Sequence, residues 1–251
     1  MLPHDSIGSG DPEIVFVHGF TQTRSSWRRC ADMLADRYRC VLVDAPHHGE
    51  AQSHDFDHAH AARAVGDSAR NGVLVGYSMG GRLALEAALY GNVALRALVL
   101  VSTTAGIESA VDRERRRDDD ETLASRIESI GTAAFLAEWL AQPLFAHSQR
   151  DPEDLAGRAT NLAESLAKSL RRCGAAEQRP SWNELHRLAI PTLIVAGSDD
   201  AKYVGLARRL HEGIAGSELV VIDHAGHSVH LDQPERFTAI LGDFLDRRVK
   251  S

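Results

Sequence analysis

A serine framed by glycines is the first candidate for chemistry in this chain. Residues 76–80 read G-x-S-x-G, directly behind the apolar run 73–75 and ahead of a helix-like stretch. Such a sharp strand-to-helix turn strains the serine backbone, exposes its hydroxyl above a sheet and leaves room only for glycine beside it. The helix N-terminus places partial positive charge there. The pattern therefore predicts that Ser78 is a nucleophile or a base.

A carboxylate for this serine follows a later apolar run. A serine hydroxyl becomes reactive only when a histidine takes its proton and a carboxylate orients that histidine. Asp199 and Asp200 both lie just past the run 192–195. The spacing strand-Gly-x-x-Asp favours Asp200 over Asp199.

The histidine candidates lie in the loop after the next apolar run. His224, His227 and His230 all occur there, and composition alone does not separate them. The Gly-His sequence at 226–227 and the helix predicted from about Pro234 favour His227. We expect His227 to accept the proton of Ser78.

Backbone N–H groups could hold a negative oxygen beside the serine. The sequence His18-Gly19-Phe20 follows the first apolar run, and Met79 follows the serine directly. The N–H groups of Phe20 and Met79 are therefore the predicted oxyanion pair.

These motifs need a scaffold of strands and helices, and the chain alternates between the two. Its apolar runs are continuous and rich in β-branched residues, which is typical of parallel strands buried on both faces. The apolar runs span 14–17, 40–43, 73–75, 98–101, 192–195 and 219–222, and the helical stretches between them span 27–36, 58–69, 82–90, 206–214 and 234–247. The alternation predicts an α/β fold with a doubly wound, mainly parallel sheet.

The alternation breaks between about residues 105 and 188. That segment lacks a convincing strand and carries helical stretches at 120–130, 132–141 and 154–172. We predict an all-helical cap there, over the carboxyl ends of the strands, flanked by core parts 1–104 and 189–251. A surface decoration is the weaker interpretation, because Trp139 and Trp182 need something to cover.

The composition of the chain limits the kinds of molecule that it is expected to bind. The 251 residues carry a formal net charge of −7, which argues against a nucleic-acid-binding protein but allows a small anionic substrate near a local arginine cluster. No apolar run approaches a membrane span, and the N-terminus lacks the pattern of a signal peptide. We therefore expect a cytoplasmic protein.

Cysteine and histidine usage gives no metal motif. The three cysteines have no metal-like spacing and are expected to be reduced structural thiols. His54, His58 and His60 are interpreted as a solvated surface rather than a metal site. No Gly-rich phosphate loop follows the first strand, so we expect no metal and no cofactor.

Taken together, these motifs resemble the α/β-hydrolase superfamily over the whole chain, including the order Ser, Asp, His. The chain is more closely similar to the 2-succinyl-6-hydroxy-2,4-cyclohexadiene-1-carboxylate synthases of menaquinone biosynthesis. The residues that carry this resemblance are 17–20, 43–49, 76–82, Arg113, Arg116, 120–121, 135–145, 197–203 and 225–230. Arg82, the arginine-rich stretch and the Trp-x-x-x-Pro-Leu-Phe run are its more particular features. His47, in place of a usual glycine, and Leu140, in place of a frequent tyrosine, depart from the pattern.

The resemblance implies an α/β-hydrolase fold and a lyase that needs no cofactor. The triad would abstract a proton from a small polycarboxylate substrate, and pyruvate would leave. By matching position, Arg82, Arg116 and Arg158 would bind carboxylates, as guanidinium forks do, and Tyr77 and Trp139 would line the pocket.

Some roles have alternatives on sequence grounds. Arg116 also fits an exposed, salt-bridged helix start, and Trp139 also fits a cap core. A serine hydrolase of an ester, thioester or carbon–carbon bond would need only the triad and the oxyanion pair. A non-catalytic small-molecule binding protein would have no need for an intact triad. We expect a monomer or a weak homo-oligomer.

Overall fold

A single seven-stranded sheet forms the centre of the computed structural model, which describes residues 2–145 and 151–249. The strands lie in the order β1-β3-β2-β4-β5-β6-β7, and all neighbours are parallel except β1, which pairs antiparallel with β3. Their bounds are β1 His4–Ile7, β2 Glu13–Val17, β3 Arg39–Val43, β4 Val73–Tyr77, β5 Ala97–Val101, β6 Thr192–Gly197 and β7 Glu218–Ile222. The predicted α/β fold with a mainly parallel sheet is confirmed.

Continuous apolar sequence explains the inner strands. Every residue of β4, β5 and β6 is buried, as expected for strands covered on both faces. The apolar pattern did not indicate β1, because its sequence His-Asp-Ser-Ile is polar and lies mostly exposed at the sheet edge. Polar residues on an edge strand discourage pairing with another chain.

Helices cover both faces of this sheet and bury two apolar clusters. The cluster on one face includes residues of α2, α3 and α7, and the cluster on the other includes residues of α1 and α9. The bounds are α1 Arg28–Leu34, α2 His58–Ser68, α3 Met79–Tyr90, α7 Ala201–Gly213, α8 Val229–Asp232 and α9 Pro234–Arg248. The helix predicted from residue 82 begins at Met79, so it starts directly after Ser78.

In the described part of the segment between β5 and β6, three further α-helices occur, and we call them the inserted helices: α4 Ala110–Leu140, α5 Pro152–Ala159 and α6 Ala163–Cys173. The backbone of α4 breaks at Gly131, whose φ of 78° and ψ of 167° are not helical. This break separates the two helical stretches predicted at 120–130 and 132–141. The single stretch predicted at 154–172 is instead two helices, because the chain leaves helical geometry between Ala159 and Ala163.

Candidate active site

The nucleophile candidate sits in a strained turn between β4 and α3. Ser78 has φ 50° and ψ −107°, a conformation that non-glycine residues adopt only when the surroundings enforce it. The close approach of the backbones explains the flanking glycines. A Cβ atom on Gly80 would lie 2.4 Å from the carbonyl oxygen of Val17. Thr103 Oγ1 donates a 2.8 Å hydrogen bond to the Ser78 carbonyl, which helps to hold the turn.

The three predicted triad residues meet at this turn. His227 Nε2 lies 3.0 Å from Ser78 Oγ, and His227 Nδ1 lies 2.8 Å from Asp200 Oδ2. The imidazole is 2% exposed. With the Nδ1 proton donated to Asp200, Nε2 is the free acceptor for the serine hydroxyl, which is the arrangement general-base chemistry needs.

The other acidic and histidine candidates lie elsewhere. Asp199 is exposed and accepts a 2.9 Å hydrogen bond from Ser198 Oγ, and His224 is also exposed. His230 is buried and stacks on Trp27 at 4.1 Å between ring centroids. Burial lowers the pKa of His230 well below its ordinary value, so its ring is a neutral part of the core.

The loop that carries the Phe20 N–H is held by His18. The carbonyl of Gly19 accepts hydrogen bonds from His18 Nδ1 at 2.8 Å and from the N–H of Gln22 at 3.2 Å. Because N–H and C=O point in opposite directions across a trans peptide, these two bonds orient the N–H of Phe20. His18 Nε2 in turn accepts the N–H of Ala45 at 3.0 Å.

His18 is neutral in this position. Burial lowers its pKa to about 4. Neutral imidazole has one donor nitrogen and one acceptor nitrogen, and both are used here, at Gly19 and at Ala45. Met79, the second oxyanion candidate, is the first residue of α3, where backbone N–H groups have no acceptor within the helix.

A cavity of about 450 Å³ opens over Ser78 and His227. Its walls come from the sheet loops on one side and from the inserted helices on the other. The structure places nine of the ten predicted site residues in its lining, namely Phe20, Tyr77, Ser78, Met79, Arg82, Arg116, Trp139, Arg158 and His227. Asp200 lies behind His227, as a carboxylate that orients the imidazole should.

Arg82 enters the cavity without a carboxylate at salt-bridge distance among the described residues. It is 8% exposed, and its Nη1 donates to the carbonyls of Cys173 at 3.1 Å and Gly174 at 2.9 Å. Burial and then the nearby Arg116 lower its pKa. Its hydrogen bonds go to carbonyl oxygens, and the Asp120 carboxylate attracts it without a salt bridge to it. A buried cation with no anion hydrogen-bonded to it is costly to keep charged, so an anionic ligand would stabilise it.

Two more arginines line the cavity, each with an acidic neighbour. Arg116 Nε pairs with Asp120 at 2.8 Å, and its side chain is 41% exposed, so the exposed salt-bridged start of a helix describes it in part. Arg158 is buried, pairs with Asp154 at 2.6 Å and also donates to the hydroxyl of Thr21.

The aromatic wall joins the sheet loops to the inserted helices. Trp139 lies edge-on to Phe20 at 5.3 Å and stacks on Phe135 at 5.8 Å between centroids. It therefore belongs both to the cavity wall and to the small core of the inserted helices. The Tyr77 hydroxyl lies 3.0 Å from Ser228 Oγ.

The sequence and the fold of this chain are similar to those of known proteins. A family profile described as Alpha/beta hydrolase family matches residues 14–240. The chain belongs to the alpha/beta hydrolase family. Membership accounts for the strained serine between β4 and α3 and for the order Ser78, Asp200, His227 along the chain.

Individual members of this family are similar over nearly the full length. A Bacillus subtilis (strain 168) protein, provisionally named 2-succinyl-6-hydroxy-2,4-cyclohexadiene-1-carboxylate synthase, is 34% identical over 92% of this chain and 89% of its own. The synthase of that name from Klebsiella pneumoniae (strain 342) is 32% identical over 96% of each chain. The solved structure of MenH from S. aureus has 27% identity, a TM-score of 0.93 and 99% coverage of both chains.

Several lining residues of this hydrolase-family site were not predicted as site residues, and two of them lie close to Asp200 in the sequence. Lys202 and Tyr203 both line the cavity, and the Tyr203 ring lies 4.3 Å from the His227 ring. Their signal was their place two and three residues after Asp200, in the first turn of α7.

The histidines of the polar segment need one correction. His58 is buried, with Nδ1 2.9 Å from Glu86 Oε2, whereas His54 is half-buried and His60 is exposed. The expected solvated surface is therefore wrong for His58, whose position on α2 turns it inward. Across residues 2–145 and 151–249, no His, Cys, Asp and Glu side chains gather into a metal-binding group. Those same ranges contain no helix with the length and hydropathy to cross a membrane.

Proposed function

We propose that this protein is a lyase that eliminates pyruvate from 2-succinyl-5-enolpyruvyl-6-hydroxy-3-cyclohexene-1-carboxylate to give 2-succinyl-6-hydroxy-2,4-cyclohexadiene-1-carboxylate. The observation that carries the proposal is the cavity in which the Ser78–His227 pair faces Arg82, a buried cation with no carboxylate at salt-bridge distance among the described residues. The names of the relatives from Klebsiella pneumoniae and Bacillus subtilis support it.

The arginines match the charge of this substrate. It carries a ring carboxylate, a succinyl carboxylate and an enolpyruvyl carboxylate. Arg82, Arg116 and Arg158 line one cavity and are suited to hold such groups by paired hydrogen bonds. Tyr77 and Trp139 would cover the ring. A neutral ester would leave the Arg82 guanidinium without an anion at hydrogen-bonding distance, so the lining favours a polycarboxylate over an apolar ester.

The bond changes follow from the two compound names. The proton on ring carbon C2, next to the succinyl ketone, is removed. Its electron pair forms the C2=C3 bond, the former C3=C4 pair moves to C4=C5, and the C5–O bond breaks. The enolpyruvate leaves with the electron pair of the broken C5–O bond and takes up a proton on its methylene carbon to become pyruvate. No oxidant, reductant or cofactor is needed for this balance.

Ser78 would remove the C2 proton and pass its own proton to His227, with Asp200 stabilising the imidazolium. Negative charge would develop on the succinyl ketone oxygen during the proton transfer. The N–H groups of Phe20 and Met79 would bind that oxygen and stabilise the transition state more than the ground state.

The inserted helices would act as a cap over this chemistry, with 105–188 as the cap and 1–104 and 189–251 as one catalytic core. Arg116, Trp139 and Arg158 reach the cavity from this segment. A wall built from a separate layer excludes water from the carbanion-like intermediate, which water would otherwise protonate.

The test is an assay of pyruvate release from the proposed substrate by the purified protein, followed with lactate dehydrogenase, beside a panel of small neutral esters and thioesters. We expect pyruvate release with a kcat/KM far above that for any ester. Ester or thioester hydrolysis without pyruvate release would instead support the alternative, a serine hydrolase that uses the same triad.

A further inference from the structure

The loop after β2 contains a residue in an unfavourable backbone conformation next to the oxyanion candidate Phe20. Thr21 has φ 68°, in the left-handed region that β-branched residues seldom occupy. Such a conformation persists only where surrounding groups hold it in place. Thr21 is fully buried, so the groups that hold it can be identified.

Among the described residues, three side chains hold Thr21, and two of them come from the segment between β5 and β6. Its N–H donates to His48 Nε2 at 3.3 Å, and its carbonyl accepts from Asn161 Nδ2 at 2.8 Å. Its hydroxyl accepts from Arg158 Nη1. His48 follows β3, whereas Arg158 lies near the end of α5 and Asn161 lies just beyond it. The loop is therefore held from the core and from the inserted helices together.

Asn161 is the residue that joins these layers. It is 2% exposed, and its Oδ1 accepts the N–H of Gly49, in the loop after β3, at 2.8 Å. Its Nδ2 donates to the carbonyls of Thr21 and Arg158. The amide therefore uses both its donor group and its acceptor, and it touches three backbone segments. Asn161 is not among the described residues that line the cavity, so it lies behind the cavity wall.

We propose that Asn161 is a positioning residue: by fixing Thr21 it holds the neighbouring Phe20 N–H toward the reacting oxygen, so that seating of the inserted helices also sets the oxyanion site. This inference rests on the oxyanion role of Phe20 proposed above. His18 fixes the same loop from the other side, at Gly19. Asn161 thus links the layer that binds the substrate carboxylates to the donor that stabilises the transition state.

A purely structural role for Asn161 makes a different prediction. Loss of a buried amide in a merely structural site would lower the melting temperature and leave the chemistry of folded enzyme unchanged. A role in shaping the substrate pocket would raise KM for the polycarboxylate and leave other Ser78 reactions unchanged. A positioning role slows every reaction that places a negative oxygen against Phe20, whatever the ligand.

The test uses a small uncharged fluorophosphonate, which phosphonylates the activated serine and places its phosphoryl oxygen in the oxyanion site. The variants are Asn161→Ala and Asn161→Asp; the aspartate keeps an acceptor for Gly49 and removes the donor to Thr21. Thr160→Val is the matched control, because the hydroxyl of the exposed Thr160 donates to the Gly157 carbonyl within α5 and, across residues 2–145 and 151–249, to no other group. We expect both Asn161 variants to lose about tenfold or more in the second-order rate constant of labelling, since small misplacements of catalytic groups have effects of this order.

Labelling of folded Asn161→Ala or Asn161→Asp at the wild-type rate would overturn the inference. If Asn161→Ala does not fold, Asn161→Asp alone decides. Pyruvate release measured in parallel separates this inference from the proposed function. Slower labelling together with a wild-type protein that releases no pyruvate would remove the proposed function and keep the positioning role. Labelling at the wild-type rate with a raised KM for pyruvate release would remove the positioning role and keep the proposed function.

Discussion

The free energy of unfolding of this protein should decrease as the pH is lowered, and His18 should cause part of that decrease. The folded-state pKa of His18 is lowered from 6.5 to about 4 by burial, whereas the unfolded chain keeps the ordinary value. Between these two values the unfolded state binds more protons than the folded state. The contribution of His18 is therefore fully present above pH 6.5 and is lost as the pH falls through about 4.

The size of the effect follows from the shift. A difference of about 2.5 pKa units, at about 1.4 kcal/mol per unit, amounts to about 3 kcal/mol of unfolding free energy. Most of it should be lost between pH 6.5 and 4.5. This is a substantial part of the typical stability of a domain, which is about 5–15 kcal/mol.

The perturbation is His18→Asn, assayed by urea unfolding at several pH values between 4.5 and 7.5. Asparagine offers a donor and an acceptor but takes no proton. The variant will be less stable at every pH because its hydrogen bonds are imperfect. The informative quantity is the slope of unfolding free energy against pH. This slope should be smaller in the variant than in wild type by about 1.4 kcal/mol per pH unit, because one proton fewer is taken up on unfolding.

The matched control is His186→Asn, because His186 is exposed and its ring stays in water in both states. Burial also lowers the pKa of His47, His48, His58 and His230, so wild type and variants share a steep residual slope. A slope for His18→Asn equal to that of wild type would refute the reasoning, because it would mean that folded His18 takes up its proton as readily as the unfolded chain does.

Other predictions concern the cavity and the turn. Arg82→Met should lower kcat/KM for the polycarboxylate by about 30-fold or more, the loss expected for a buried charge contact. The same variant should change the rate of hydrolysis of a small neutral ester by less than about threefold. Equal losses in the two steady-state assays would show that Arg82 does not bind a substrate carboxylate. Gly80→Ala should destabilise the fold by about 1–3 kcal/mol in urea unfolding, because its Cβ would lie 2.4 Å from the Val17 carbonyl oxygen; an unchanged midpoint would contradict this. Thr103→Val should lower kcat with little change in KM, since it removes the hydrogen bond to the Ser78 carbonyl; an unchanged kcat would show that the turn holds without it.

The sequence allowed the sheet and the order of its motifs to be predicted because the local patterns match the global fold. Continuous β-branched runs suit strands covered on both faces, and glycines mark the turn in which backbones approach closely. A polar edge strand such as β1 carries no such pattern, because only its pairing with β3 makes it a strand.

The side chains of the site were harder to predict than its backbone motifs. Ser78, Asp200 and His227 follow strands whose carboxyl ends meet, so their convergence could be inferred. The contacts of Thr21 with Asn161 and Arg158 join residues about 140 positions apart and have no periodic signal. The same holds for His58, whose inward direction depends on the rotation of α2 against α3 and on Glu86.

The most direct measurement is the rate of pyruvate release by Ser78→Ala compared with wild type, on the proposed substrate and at matched folded protein concentration. Removal of the proton-abstracting group should lower kcat by about 100- to 10,000-fold, the usual contribution of a general base. Pyruvate release by Ser78→Ala within about tenfold of the wild-type rate would contradict the account, because another group would then remove the proton.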